Sequence, residues 1–201
     1  GMNVLNGTYQ TGNSPVAATS QFTLSNTQIT RVSVRTSSLQ SDGKSFNPSI
    51  SGDGQYVVFR SAASNLVDND TNGQPDIFVH DRQTGLTERV NVDSSDGQTT
   101  GGNSDWPDIS GDGRYVAFRS EASNLVDNDT NGQPDIFVHD RQTDFIERVS
   151  TDSFGSQANG INAVPTISSD GRYVTFVSDA DNLVNNDSNE RRDAFIHDRQ
   201  T

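Results

Sequence analysis

The residues best suited to chemistry in this chain form one run of oxygen-bearing side chains, Asp68-Asn69-Asp70-Thr71-Asn72-Gly73-Gln74-Pro75-Asp76. Side-chain oxygens stand at positions 1, 3, 5 and 9, with glycine at 6 and the Gln74 carbonyl at 7. That spacing can wrap Ca²⁺, a hard cation that collects oxygens from carboxylates, amides and main-chain carbonyls. The run recurs with Asp127, Asp129, Asn131, Gln133 and Asp135. A looser third copy carries Asn185, Asp187, Asn189 and Asp193, with Glu190 replacing the glycine and Arg191 at the carbonyl position. Its carboxylates drop from three to two, so its calcium affinity is expected to be lower. The position-12 glutamate of an EF-hand is missing, and Val79 stands there instead. A metal-free reading is equally concrete: Asp and Asn close turns on their own backbone, and Asn-Gly turns without help.

Other reactive residues are repeated rather than gathered. His80, His139 and His197 hold equivalent places in three copies of one segment, which favours a structural role over one shared metal or acid–base site. Asp81-Arg82, Asp140-Arg141 and Asp198-Arg199 repeat likewise. Neighbours on a strand point oppositely, so these pairs are expected to tie a turn to adjacent strands. Trp106, the only tryptophan, is read as lying just before a strand, where it could stack on a ligand or fill space. Asp105, Asp108 and Glu121 belong to the second copy alone. No Gly-x-Ser-x-Gly elbow, phosphate-binding glycine loop or His-Glu-x-x-His is present, so no catalytic residue is assigned.

The elements that position these residues follow from the repetition. Residues 48–84 recur at 107–143 and 165–201, and the first two copies differ only at Ser49/Asp108, Gln55/Arg114, Val58/Ala117 and Ala62/Glu121. Each copy predicts four strands: a at 48–51, b at 55–61, c at 76–81 and d at 86–92. A Gly-Asp-Gly hairpin joins a to b, and the oxygen-rich loop joins b to c. Bulk on both faces of strand c suits a sheet stacked between two others. No segment has helical periodicity, so radially stacked four-stranded blades are the expected all-β architecture.

The string PDISGDGRYVAFRSEASNLV…DIFVHDRQT resembles the TolB-like, WD-repeat-like β-propeller family, whose blades carry Pro-x-x-Ser-x-Asp-Gly-x-x-(apolar)-x-Phe-x-Ser. The matching positions are Pro48/Asp53/Gly54/Phe59, Pro107/Asp112/Gly113/Phe118 and Pro165/Asp170/Gly171/Phe176. The likeness covers residues 30–201 and implies a propeller; it does not imply one activity, since this scaffold hosts many. The acidic loops are also similar to the calcium loops of integrin α-subunit propellers.

Composition narrows the partners. A net charge of −13 repels phosphate backbones, which argues against nucleic acid. No apolar run is long enough to span a membrane as a helix, so no membrane insertion is expected. The absence of cysteine removes disulfides, thiolate nucleophiles and thiolate zinc sites and leaves the compartment open, an extracellular or periplasmic one being the expectation. Gly1-Met2 reads as a tag remnant before a start codon. Residues 1–28 read as an extension, with a decayed strand at 21–24, and residues 29–34 (ITRVSV) match strand d. Three blades are too few to close a ring, and the third copy has no strand d of its own. Residues 29–34 are therefore expected to complete the third blade of a second copy, giving a six-bladed homodimer; three chains and nine blades are the geometric alternative, and a fragment of a longer propeller is the rival reading. The expected function is a non-catalytic module, stabilised by calcium, that presents loops to a protein or glycan ligand. The alternative is a propeller-fold glycan lyase or hydrolase with its site at the ring centre.

Overall fold

The structure is a computed structural model that describes residues 28–200. The chain divides into two compact units, Gly1–Arg31 and Val32–Thr201. In the first, only residues 28–31 are described; they are exposed and form no strand, and the strand expected at 21–24 lies outside the described residues.

The second unit holds three antiparallel sheets. The first runs β1(Ser45–Ile50), β2(Tyr56–Ser61), β3(Asp76–Asp81), β4(Thr87–Arg89) in spatial order, and the second repeats it as β5(Ser104–Ile109), β6(Tyr115–Ser120), β7(Asp135–Asp140), β8(Phe145–Arg148). The third comprises β9(Asn162–Ile167), β10(Tyr173–Ser178) and β11(Asp193–Asp198), with no fourth strand among the described residues. Strands b and c form where β-branched and aromatic residues cluster between turns. The a–b hairpin turns on Gly54, Gly113 and Gly171, at φ 73°, 73° and 71°, a left-handed backbone that glycine adopts without penalty. Asp53 fixes the turn by accepting from the Gln55 amide at 2.9 Å and from the Ser51 hydroxyl at 2.6 Å.

Two expectations about strand limits change. Strand a begins three residues earlier than read, because a bulge interrupts its pairing between Phe46 and Ser49 and between Asp105 and Asp108. The bulged residues Asn47, Trp106 and Val164 adopt φ 51°, 48° and 50°, so Trp106 sits inside β5 rather than before it. Residues 29–34 form no strand here; Val34 makes one bridge to Gln40, as Val92 does to Gln98 and Thr151 to Gln157.

The sheets stack face to face. Val58, Ile77 and Val79 of the first blade pack on Phe118 and Phe137 of the second. Ala117, Ile136 and Val138 on the second blade's other face meet Val174 and Phe176 of the third. Within each blade, one phenylalanine of strand b stacks on one of strand c, at ring-centroid distances of 6.0, 6.0 and 5.8 Å. Strands β1, β5 and β9 lie against one another, so the a strands form the inner edge. Along this edge the Gly52 amide donates to the Gly111 carbonyl at 2.8 Å, and the Gly111 amide to the Ser169 carbonyl at 2.9 Å.

A ring fitted to a hairpin locks each joint. A Cβ on Gly113 would lie 2.2 Å from Tyr56 Cδ2, and one on Gly171 2.2 Å from Tyr115 Cδ2. Arg141 then covers Tyr56, and Arg199 covers Tyr115, each 4.3 Å from the ring centroid. The Asp-Arg pairs do tie the c–d turn to its surroundings: Arg141 reaches Glu88 of the preceding blade and Arg199 reaches Glu147. Asp140 accepts the Arg114 guanidinium at 2.8 and 2.6 Å and the Gln142 amide at 3.0 Å.

Two predictions follow from these joints. Gly113→Ala should lower stability in urea titration by about 1–3 kcal/mol for the left-handed backbone, with a similar cost from overpacking against Tyr56. The Arg114 hydrogen bonds hold the Asp140 carboxyl far below its usual range. Its contribution is therefore fully present above the ordinary Asp pKa of about 3.9 and is lost as pH falls through the lower folded value. Asp140→Asn should melt below the wild type at pH 7, with the gap closing as the pH drops below about 3.9.

Candidate functional site

Each oxygen-rich loop leads into strand c and brings only part of its expected ligand set together. In the first, Asp70 and Asp76 face a common point, their side chains 4% and 0% exposed. The Arg89 guanidinium, on strand d of the same blade, occupies that point, with Nη1 3.8 Å from Asp70 and 3.5 Å from Asp76. Arg148 does the same in the second loop, at 3.1 Å from Asp129 and 3.3 Å from Asp135. Burial pushes the carboxyls of Asp70, Asp129 and Asp135 upward, which neighbouring acids reinforce at the first two and the arginines oppose.

The other expected ligands turn elsewhere. Asn72 Oδ1 accepts from the Gln74 amide at 2.9 Å, an Asx turn, while its Nδ2 faces Asp76. Asn131 and Gln133 repeat that arrangement at 3.0 Å, and Asn131 Nδ2 donates to Asp135 at 2.9 Å. Asp68 pairs outward with Arg35, and Asp127 lines an open surface cleft beside Asn131 and Arg148. In the third loop Asn189 donates to Asp193 at 2.8 Å, and Asn185 is exposed. No cluster of three or more acidic, histidine or cysteine side chains suited to a metal occurs among the described residues. The donor set does not fit Ca²⁺ in the first two loops, because a fixed guanidinium already holds the point between the carboxylates.

The histidines stay apart, one per blade. Thr87 Oγ1 donates to the Val34 carbonyl, so the His80 Nδ1 that contacts it at 2.9 Å carries the proton. In the second blade Ile146 replaces Thr87, and both ring nitrogens of His139 lack hydrogen-bond partners, the Asp144 carboxylate lying 3.8 Å from Nε2. Burial pushes the basicity of all three imidazoles down.

The blade-specific residues converge on the inner edge. Asp108 is a tether: it accepts from Ser49 Oγ at 2.7 Å and from the Ile167 amide at 2.9 Å, joining all three a strands. Asp105 and Glu121 grip Arg119 from two sides, at 3.3 and 2.9 Å. That guanidinium lies 5.6 Å from the ring centroid of Trp106, a residue 37% exposed. Arg60 lies similarly over Phe46 at 5.8 Å. Asp105 Oδ1 is buried without a partner, and burial pushes this carboxyl up against the pull of Arg119 and Arg60. Sequence reading marked Asp105, Glu121 and Trp106 as unusual; the role of Arg119 was hidden, because Arg60 repeats it.

No protein-family model matches the chain, and no curated protein matches it significantly. Among solved structures it is similar to a putative TolB from Agrobacterium tumefaciens, with 21% identity over 78% of this chain and 46% of that one, TM-score 0.49. It is also similar to the β-propeller domain of the trilobed protease from Pyrococcus furiosus, with 17% identity over 79% of this chain and 40% of that one, TM-score 0.47. A TolB from Acinetobacter baumannii shares 20% identity over 80% of this chain and 42% of that one, TM-score 0.37. The chain thus spans less than half the length of each of these proteins.

Removing the resident cation should expose its role. Arg89→Met leaves Asp70 and Asp76 buried without it and should cost about 3–5 kcal/mol by chemical denaturation. The wild-type melting curve should be the same in millimolar calcium and in excess chelator.

Proposed function

We propose that this chain is a non-catalytic binding module of the β-propeller type, taking a protein or glycan ligand at its inner edge. The observation that carries this reading is an asymmetry. The Asp-Arg pairs and the acids that open the c strands, which repeat from blade to blade, are bonded within or between blades, whereas Trp106 and the Asp105–Arg119–Glu121 grip occur once, built on β5 and the end of β6. An aromatic face beside a guanidinium held in place by two carboxylates offers a stacking surface and fixed hydrogen-bond donors. Such preorganised side chains lose little entropy on binding.

The catalytic alternative, a glycan lyase or hydrolase at the ring centre, draws support from Asp105, whose unpartnered oxygen and raised pKa suit a proton-transfer role. Glycan and peptide arrays, followed by titration of any hit, separate the two. For a binder, Trp106→Ala should weaken the hit at least tenfold, in the range of an interface anchor, and no product should form. Product formation that Asp105→Asn abolishes while binding persists would establish the enzyme instead. His80→Gln, His139→Gln and His197→Gln should each leave binding within about 0.5 kcal/mol.

A further inference from the structure

We propose that the joint between the first and second blades holds a separate binding site, an outer cleft around His139, Asp144 and Asp96 that takes a small aliphatic amine in its ammonium form. The cleft has a volume of about 440 Å³, within the range of pockets for small molecules. Strand β4 and the tail that follows it form one wall, and β7 with its c–d turn forms the other. Both blades are complete, and the cleft lies toward their outer strands, away from the a strand that carries Trp106. A ligand here is therefore distinct from one held at the inner edge.

His139 points to a missing partner. Its side chain is 5% exposed, and neither ring nitrogen makes a hydrogen bond. A buried polar group in that position is costly unless something from outside the chain satisfies it. Nε2 faces Asp144 Oδ1 across 3.8 Å, too far for a hydrogen bond, and both residues line the cleft. One ammonium nitrogen can lie about 2.8 Å from both acceptors at once. Burial pushes the basicity of the ring down, so with its proton on Nδ1 the Nε2 lone pair is free to accept.

Three differences between the copies meet at this joint. Ile146 replaces Thr87, whose hydroxyl engages His80, and so releases His139. Asp144 stands where the first copy has Gly85, and Asp96 where the second has Gly155. All four residues have a left-handed backbone, at φ 57° and 60° for the acids and 77° and 81° for the glycines. An acid there carries a conformational cost that glycine does not. Both acids are exposed, and among the described residues neither carboxylate accepts a hydrogen bond. The other charges at the cleft are already engaged. Arg141 pairs with Glu88 at 2.5 Å, Arg89 lies between Asp70 and Asp76, and Asp93 accepts the Ser95 and Gly97 amides at 2.8 Å each. Two carboxylates and an imidazole acceptor are left, a set that repels anions and suits the three donors of an ammonium. Buried Val92 offers an apolar wall to a methylene stem. A metal ion fits less well, because the cleft is far larger than an ion and no three-ligand cluster occurs among the described residues.

Calorimetric titration of the full chain in an amine-free buffer tests the site, with 1,4-diaminobutane as the probe and 1,4-butanediol as its uncharged counterpart. The diamine should bind at one site and the diol should not. Asp144→Gly and Asp96→Gly restore the sister copy's residue at a left-handed position, and His139→Leu removes a buried, unpaired polar group. Each should weaken the diamine at least tenfold while the melting temperature holds or rises. Glu190→Gln removes an exposed charge on the third blade and should leave the affinity unchanged, which separates a built site from general attraction to an acidic surface. The absence of saturable diamine binding overturns the proposal, as does equal binding of the diol. So does a loss in Glu190→Gln as large as that in Asp144→Gly, or an affinity indifferent to the three cleft substitutions.

Discussion

Every c strand of this protein opens with a carboxylate, and in the two complete blades that carboxylate is fully buried. A buried charge is costly unless its oxygens are bonded and a counter-charge lies close. Asp76 meets the condition through Asn91 Nδ2 at 2.6 Å, Thr99 Oγ1 at 3.3 Å and Arg89. Asp135 meets it through Ser150 Oγ at 2.7 Å, Asn131 at 2.9 Å, Asn162 at 3.2 Å and Arg148. These partners come from the b–c loop, from strand d and its tail, and from the approach to the next blade. One acid therefore fixes the loop, the outer strand and the following sheet together.

This constraint makes strand d obligatory. Without its arginine the loop holds two carboxylates facing each other, and their repulsion must be relieved by protonation, by exposure or by another cation. In the third blade Asp187 and Asp193 are half-buried, and most loop residues around them are exposed. Divergence between the copies respects the same limit. Asn91 is replaced by Ser150, yet both accept the amide that follows the buried acid, Ile77 at 2.9 Å and Ile136 at 3.0 Å. Thr87, which holds a histidine rather than that acid, becomes Ile146 and leaves His139 without a hydrogen bond.

Strands b and c were legible in the sequence because YVVFRS and DIFVHD lie between strong turn formers, and β3 and β7 have the limits read for them. Strand a was harder, since its extension depends on a bulge. Asn47 suits a left-handed backbone, but Trp106 and Val164 do not, and only the pairing across to β6 and β10 imposes it. Strand d was read too long, for its ladder stops at Arg89 and Val90 adds a single further bond to Ile77. In the acidic loop the spacing pointed to a cation, and the guanidiniums of Arg89 and Arg148 stand between the carboxylates. It could not say which, because two converging carboxylates suit a guanidinium as well as a metal. The missing signal was Glu-Arg-Val, whose arginine stands thirteen residues beyond Asp76 and again beyond Asp135, on a different strand.

The inner edge obeys different rules from the rest of the blade. On the outer strands a substitution must keep the buried acid satisfied and the stacked faces complementary. On the a strands a bulge interrupts the pairing, and Phe46, Trp106 and Val164 at or beside it are all partly exposed. Two near-identical blades differ there in the way that matters for recognition. Phe46 with Arg60 becomes Asp105 and Trp106 with Arg119, while Ser49 becomes Asp108 and ties the three strands into one rigid rim. The repeat supplies a scaffold whose joints tolerate little change, and the rim is where a duplicated blade can acquire a distinct surface without disturbing them.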